Sequence, residues 1–206
     1  MPFGYIGQNQ TKQKVKNSGV LSSFEISHLE KQGHAGGSLE LIEAKTISGV
    51  ASAIFTDIKE DKYDTHHLQI LKFEPATDHT DLHLRFYENG VEESGSNYDY
   101  AYEYGHANSG FGESQSTTGT FLRASFNTGN ASTECANTYM NFYNLGDSSK
   151  YSFQNAHGNV CNQNNEFLMW YGGGCMTQAS VVNQIKLYIG ESSTFDCIAK
   201  LYGVKI

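Results

Sequence analysis

The sequence is poor in charge, poor in basic clusters and free of long apolar runs. Asp, Glu, Lys and Arg make up 17% of its 206 residues, against a usual value of about 25%. Acidic residues outnumber basic ones by 22 to 14, a formal net charge of −8. Such a chain repels phosphate backbones, so a nucleic-acid partner is not expected. Its one basic cluster is Lys12, Lys14 and Lys16, and lysines at every second position suit a solvated extended arm. No apolar run approaches the roughly 20 residues of a membrane helix, so membrane insertion is not expected. The N-terminus lacks the charged-then-apolar pattern of a signal peptide, which gives no support for export by that route.

Chemical motifs are missing too. There is no G-x-S-x-G elbow, no G-x-x-x-x-G-K-[ST] loop, no H-E-x-x-H pair and no helix-associated dinucleotide fingerprint. No two of Cys135, Cys161, Cys175 and Cys197 are in C-x-x-C spacing, unlike a zinc site or a dense disulfide scaffold. Reduced, mostly buried thiols are expected, and spacing leaves open whether any pair. Asp57, Glu60, Asp61 and Asp64 do not follow the EF-hand pattern and are interleaved with lysines, so they read as a solvated loop. His66, His67, His79 and His83 crowd one region. His67 and His83 would face each other across adjacent strands, more simply as polar packing than as metal ligands. No cofactor, metal or catalytic residue is expected, and no carboxylate pair stands out for glycoside hydrolysis.

What is present is aromatic and turn-rich. Aromatics are 13% and glycines number 21, enough rings for a core and enough turns for a β-rich domain. Two regions follow: residues 1–44 as an anchoring arm with one short helix, and 45–206 as a sandwich. In the first, Ser22 and Glu25 form a capping box, and a helix runs from about Ser23 to Gln32 before Gly33. Leu39 to Ala44 fits helix or strand. From Lys45 the apolar period is two. Asp81 to Tyr87 puts Leu82, Leu84 and Phe86 on one face. Thr194 to Val204 alternates in the same way. Eight to ten short strands between Gly/Ser/Asn/Asp turns predict an antiparallel, jelly-roll-like β-sandwich. Gly172-Gly173-Gly174 reads as a turn or bulge, and Gly105 to Gly119 as a long polar loop of the kind that carries function. Tyr98, Tyr100, Tyr102 and Tyr104 share one strand face. With Trp170 they form a candidate aromatic platform for glycan or a partner protein, or else ordinary sheet packing.

Two segments carry a resemblance. Asn17-Ser18-Gly19-Val20-Leu21 followed by Glu25-Ile26-Ser27-His28-Leu29 resembles the N-terminal arm and short helix of structural proteins from tailed bacteriophages, especially marine ones. The ending, with Leu201, Tyr202, Gly203 and Lys205, is similar to the last hairpin of phage tail-appendage modules. Thr194-Phe195-Asp196 departs from it where a glycine is usual. The resemblance implies a non-enzymatic structural protein of a virion, assembled in the host cytoplasm with its sandwich displayed on the particle. Other virion proteins of tail or capsid are the expected partners. A tail fibre or appendage component is the first expectation. A head decoration protein or a lectin-like binder of host surface glycan is the alternative. Phe24, Ile26 and Leu29 give the helix a hydrophobic strip suited to anchoring or to a symmetric homo-oligomer such as a trimer.

Overall fold

The computed structural model describes residues 26–29, 38–190 and 192–205. The chain divides into two compact units, 1–38 and 39–206. In the first, residues 26–29 form a helical turn with Ile26 exposed and Leu29 partly buried. Phe24 and the arm expected before it lie outside the described residues.

The second unit is an antiparallel β-sandwich. Its first strands are β1 (Leu39–Val50), β2 (Ser52–Phe55), β3 (Thr65–Pro75) and β4 (His83–Glu88). A short β5 (Val91–Glu92) leads to β6 (Tyr98–His106), β7 (Gly110–Gly119) and β8 (Leu122–Arg123). Then come β9 (Ala136–Tyr143), β10 (Tyr151–Cys161), β11 (Phe167–Ala179), β12 (Val182–Tyr188) and β13 (Phe195–Val204). Leu39 to Ala44, which fitted either structure, is strand, because it pairs with β13 from Leu39↔Val204 to Ala44↔Lys200. The sandwich therefore begins at Leu39, earlier than the expected Lys45.

Eight of these strands have jelly-roll order. One sheet contains β1-β13-β3-β9 as neighbours, and the other runs β2-β12-β4 with β8 on the far edge of β4. Along the chain, β1, β2, β3 and β4 alternate between sheets, and so do β8, β9, β12 and β13. Two insertions break the alternation. The chain after β4 adds β6 and β7, and the chain after β9 adds β10 and β11. All four join the first sheet as β10-β11-β6-β7, giving it eight strands.

Period two explains the layering. In β10 every even residue from Ser152 to Val160 is buried, while odd residues face out. Leu84 and Phe86 of β4, Ile185 and Leu187 of β12 and Phe55 of β2 face Leu68, Ile70, Met140, Phe142 and Leu201 in one core. Phe86 and Phe142 join the sheets edge-to-face, 5.9 Å between centroids.

Several sequence expectations are corrected. Residues 105–119 are not a loop. β6 extends to His106, turns, and returns as β7, with Tyr104↔Gly112 and Ala101↔Gln115 in register. Gly172 to Gly174 lie inside β11, paired with Tyr102, Ala101 and Tyr100. Small residues let two neighbouring strands approach there, since a Cβ on Gly173 would meet Gln154 O at 2.4 Å. His67 and His83 are not on adjacent strands, because β3 and β4 belong to different sheets. His66 is buried and its Nε2 contacts Ile58 O at 2.8 Å.

Candidate functional site

At the tyrosine strand the structure decides between the two readings the sequence leaves open, aromatic platform and ordinary sheet packing, in favour of packing. Tyr98, Tyr102 and Trp170 are buried, at 0%, 2% and 0% exposure. Their face looks into the sandwich rather than out of it. Burial is tolerated because the hydroxyls find partners inside. Tyr98 Oη donates to Glu93 O and accepts from Phe86 N–H, each at 3.0 Å. Tyr102 Oη donates to Gln154 Oε1 at 3.0 Å and accepts from Arg123 N–H at 3.1 Å. Burial pushes both phenols well above the ordinary range. Tyr102 and Trp170 meet edge-to-face at 5.7 Å, and Phe126 packs on both. Tyr100 and Tyr104 are partly buried against the same core. The five residues are brought together, but as core.

The accessible aromatics lie on the opposite side of the same strands. The registers align outward residues in rows across β9, β10, β11 and β6. One row is Tyr143-Phe153-Cys175-Asp99, the next Asn141-Asn155-Gly173-Ala101, and the third Tyr139-His157-Tyr171-Glu103. Phe153, Tyr171 and Tyr139 are 44%, 44% and 47% exposed. The middle row has almost no side chain at Gly173 and Ala101, which leaves a hollow between larger neighbours. This depression measures about 680 Å³ and is lined by Asp99, Tyr100, Ala101, Gln115, Phe153 and Cys175 among others. A second, of about 240 Å³, adjoins it through Ala101 and Gln115 and contains Glu103, Glu113 and Tyr171.

The chemistry of the surface is acidic, amide-rich and aromatic. Tyr171 Oη donates to Glu103, and that carboxylate raises the phenol's pKa. Glu103 and Glu113 are direct cross-strand partners, so two carboxylates lie side by side. Neither depression is lined by Lys or Arg. Farther along the face, Tyr139 Oη pairs with His157 Nδ1 at 3.1 Å and its ring stacks near His67, which pairs with Asn141 Oδ1 at 2.8 Å. Exposed rings beside hydroxyl and carboxylate acceptors suit an uncharged polyol such as a sugar. Polyanionic glycans would be repelled.

Sequence alternation separated the two faces of β6 but gave no sign of which was outward. The relevant signal was the small Ala101-x-Glu103 side together with Gly173, which the tyrosines overshadowed.

A second polar site occupies the rim. Asp81 accepts from Arg123 and, at 2.7 Å, from Asn127 N–H. His83 Nε2 lies 3.9 Å from it, with the imidazole stacked on Phe121 at 3.7 Å. Burial works to raise the Asp81 carboxyl, but His83, Arg123 and Asn127 outweigh it and hold it below the usual range. The described residues contain no group of three or more His, Cys, Asp or Glu arranged to hold a metal ion.

No protein-family model, curated protein or solved structure matches the chain.

Proposed function

We propose that this chain is a non-enzymatic structural component of a tailed bacteriophage virion, first of all of a tail fibre or appendage. In this reading unit 1–38 anchors the protein and the jelly roll from Leu39 is displayed. The observation that carries it is the division of the chain into two units. A separate N-terminal unit, bearing the arm-and-helix resemblance, precedes a jelly roll built of eight alternating strands. Such sandwiches serve in capsid and lectin domains alike. Head decoration is the alternative placement.

The test is immuno-gold electron microscopy with antibody against residues 39–206, on tailed particles produced with this protein. Label on tail or fibres supports an appendage. Regular label over the head moves the protein to decoration. Intact particles without label overturn the virion reading.

A second reading concerns what the displayed domain binds. The hollow at Gly173 and Ala101, flanked by Phe153 and Tyr171, favours a neutral host-surface glycan. In this reading the site is the outer face of the long sheet, rather than the tyrosine platform that the sequence offered as an alternative to ordinary packing.

A further inference from the structure

All four cysteines are free thiols, and two of them are neighbours. Cys135 immediately precedes β9 and Cys161 closes β10. These strands pair antiparallel up to Val160↔Ala136. The next rung is Cys161 opposite Cys135, closed by Cys161 N–H donating to Cys135 O at 2.9 Å. Cys161 O takes Gly129 N–H instead of Cys135 N–H, so the rung is held by one bond. Partners on such a rung have Cα atoms about 5.5 Å apart, inside the Cα span of a disulfide, and their Cβ atoms must draw together by about 1 Å for the bond to form. Both side chains lie on the same side of the sheet. Ala136 and Val160 are buried inward, so residues 135 and 161 point outward, and both cysteines are partly exposed. Neither sulfur has a strong partner to hold it. Cys161 Sγ donates to Asn165 Oδ1 at 3.5 Å, and Asn137 Nδ2 reaches Cys135 Sγ at 4.0 Å.

The other pairings fail on geometry. Cys161 is opposite Phe167 on β11, and Cys175 lies eight residues further along that strand, about 26 Å away. Cys197 is buried on β13, on the core face and three strands from β10.

We propose that Cys135 and Cys161 are a disulfide site, open as thiols in a reducing compartment and joined when the chain meets a disulfide oxidant. With glutathione disulfide, one cysteine thiolate attacks a glutathione sulfur and expels the first glutathione thiolate. The second cysteine, after losing its proton, attacks the mixed disulfide at the protein sulfur and expels the second. Two protein thiols and one glutathione disulfide become one protein disulfide and two glutathiones, so electrons and protons balance. Burial, and after it the Glu134 carboxylate, pushes the Cys161 thiol above its ordinary range, so closure quickens as pH rises.

The bond would tie the open end of the β9–β10 pair where irregular chain also meets it. Gly129 N–H donates to Cys161 O at 3.2 Å, and Thr128 bridges Asn162. The geometry of the pair does not depend on the protein being a virion component, but its redox state follows the compartment.

The experiment takes the full chain, reduced and then freed of reductant, and incubates it with excess glutathione disulfide at about pH 8. Thiols are counted, intact mass is measured, and a non-reducing peptide digest is mapped. The expected result is loss of two of four thiols, a mass loss equal to two hydrogens, and a linked peptide containing Cys135 and Cys161. The melting temperature should rise on the order of 5–10 °C. Cys161→Ser should abolish the linked peptide, and Cys175→Ser should leave it intact. Four thiols after equilibration, a stable glutathione adduct on Cys135 or Cys161 without closure, or a link through Cys175 or Cys197 would each overturn the proposal.

Discussion

Trp170 stands on Gly158. The two are cross-strand partners in β11 and β10, and a Cβ added at 158 would come within 2.3 Å of Trp170 Nε1 and 2.8 Å of Thr138 Oγ1. The largest side chain of the core therefore occupies space made available by a neighbour with no side chain. Tyr102 and Phe126 then close around the indole.

Gly158→Ala must displace the indole or bend β10. Overpacking of this kind costs about 1–3 kcal/mol. Urea unfolding followed by tryptophan fluorescence should report a lower midpoint with little change in slope. An unchanged midpoint would mean that the indole has room to move.

Tyr102 supplies the polar link of the same cluster. Tyr102→Phe keeps the ring and removes the hydroxyl, leaving Gln154 Oε1 and Arg123 N–H without that partner. Unpaired buried groups cost about 1–3 kcal/mol. The variant should unfold at lower urea while keeping the wild-type circular dichroism spectrum. Equal stability would show that water or Gln154 repacking replaces the bond.

The Asp81 site predicts a pH dependence with a definite sign. Its folded pKa is depressed, so its contribution to stability is complete above the ordinary aspartate range. It is lost as pH falls through the lower folded value. Wild-type stability should therefore decline on acidification, and Asp81→Asn should be less stable at neutral pH with a flatter acid limb. Urea titrations at a series of pH values from about 6 down to 3 test this. Parallel curves for both proteins would remove Asp81 from the account.

The sandwich was legible in the sequence because its signals are local. Asp81 to Tyr87 and Thr194 to Val204 alternate strictly, and they became β4 and β13. The inserted strands were harder to read. Gly110 to Gly119 is polar and glycine-rich, and it is strand because β6 supplies a pairing partner and Gly112 gives the Tyr104 ring room that a Cβ would fill. Leu39 to Ala44 was undecided because its partner, β13, lies at the other end of the chain. The choice between aromatic platform and core packing was not legible for a different reason. Alternation separates Tyr98 and Tyr102 from Asp99 and Ala101, but which set faces the core depends on the sheet that covers it. Tyr98 and Tyr102 can bury their hydroxyls because Glu93 O, Gln154 Oε1 and the backbone N–H groups of Phe86 and Arg123 pair with them.

The outer face carries the remaining prediction. Phe153 and Tyr171 border the two depressions, and neither belongs to the buried core. Removing either ring should leave folding intact, since both side chains are almost half exposed. Stacking of a sugar on an exposed ring requires that ring, so Phe153→Ala and Tyr171→Ala should each weaken binding of neutral glycans on an array, by roughly tenfold for a loss of about 1.4 kcal/mol. Asp99→Asn keeps the shape of the hollow and removes a charge, so it should weaken neutral glycans while improving acidic ones. Tyr100→Ala is a poor probe of the same surface, because its ring packs on the core and its loss would disturb Tyr102 at 5.3 Å. If the two ring variants and wild type give identical array profiles and melt at the same temperature, the outer face is not a glycan site.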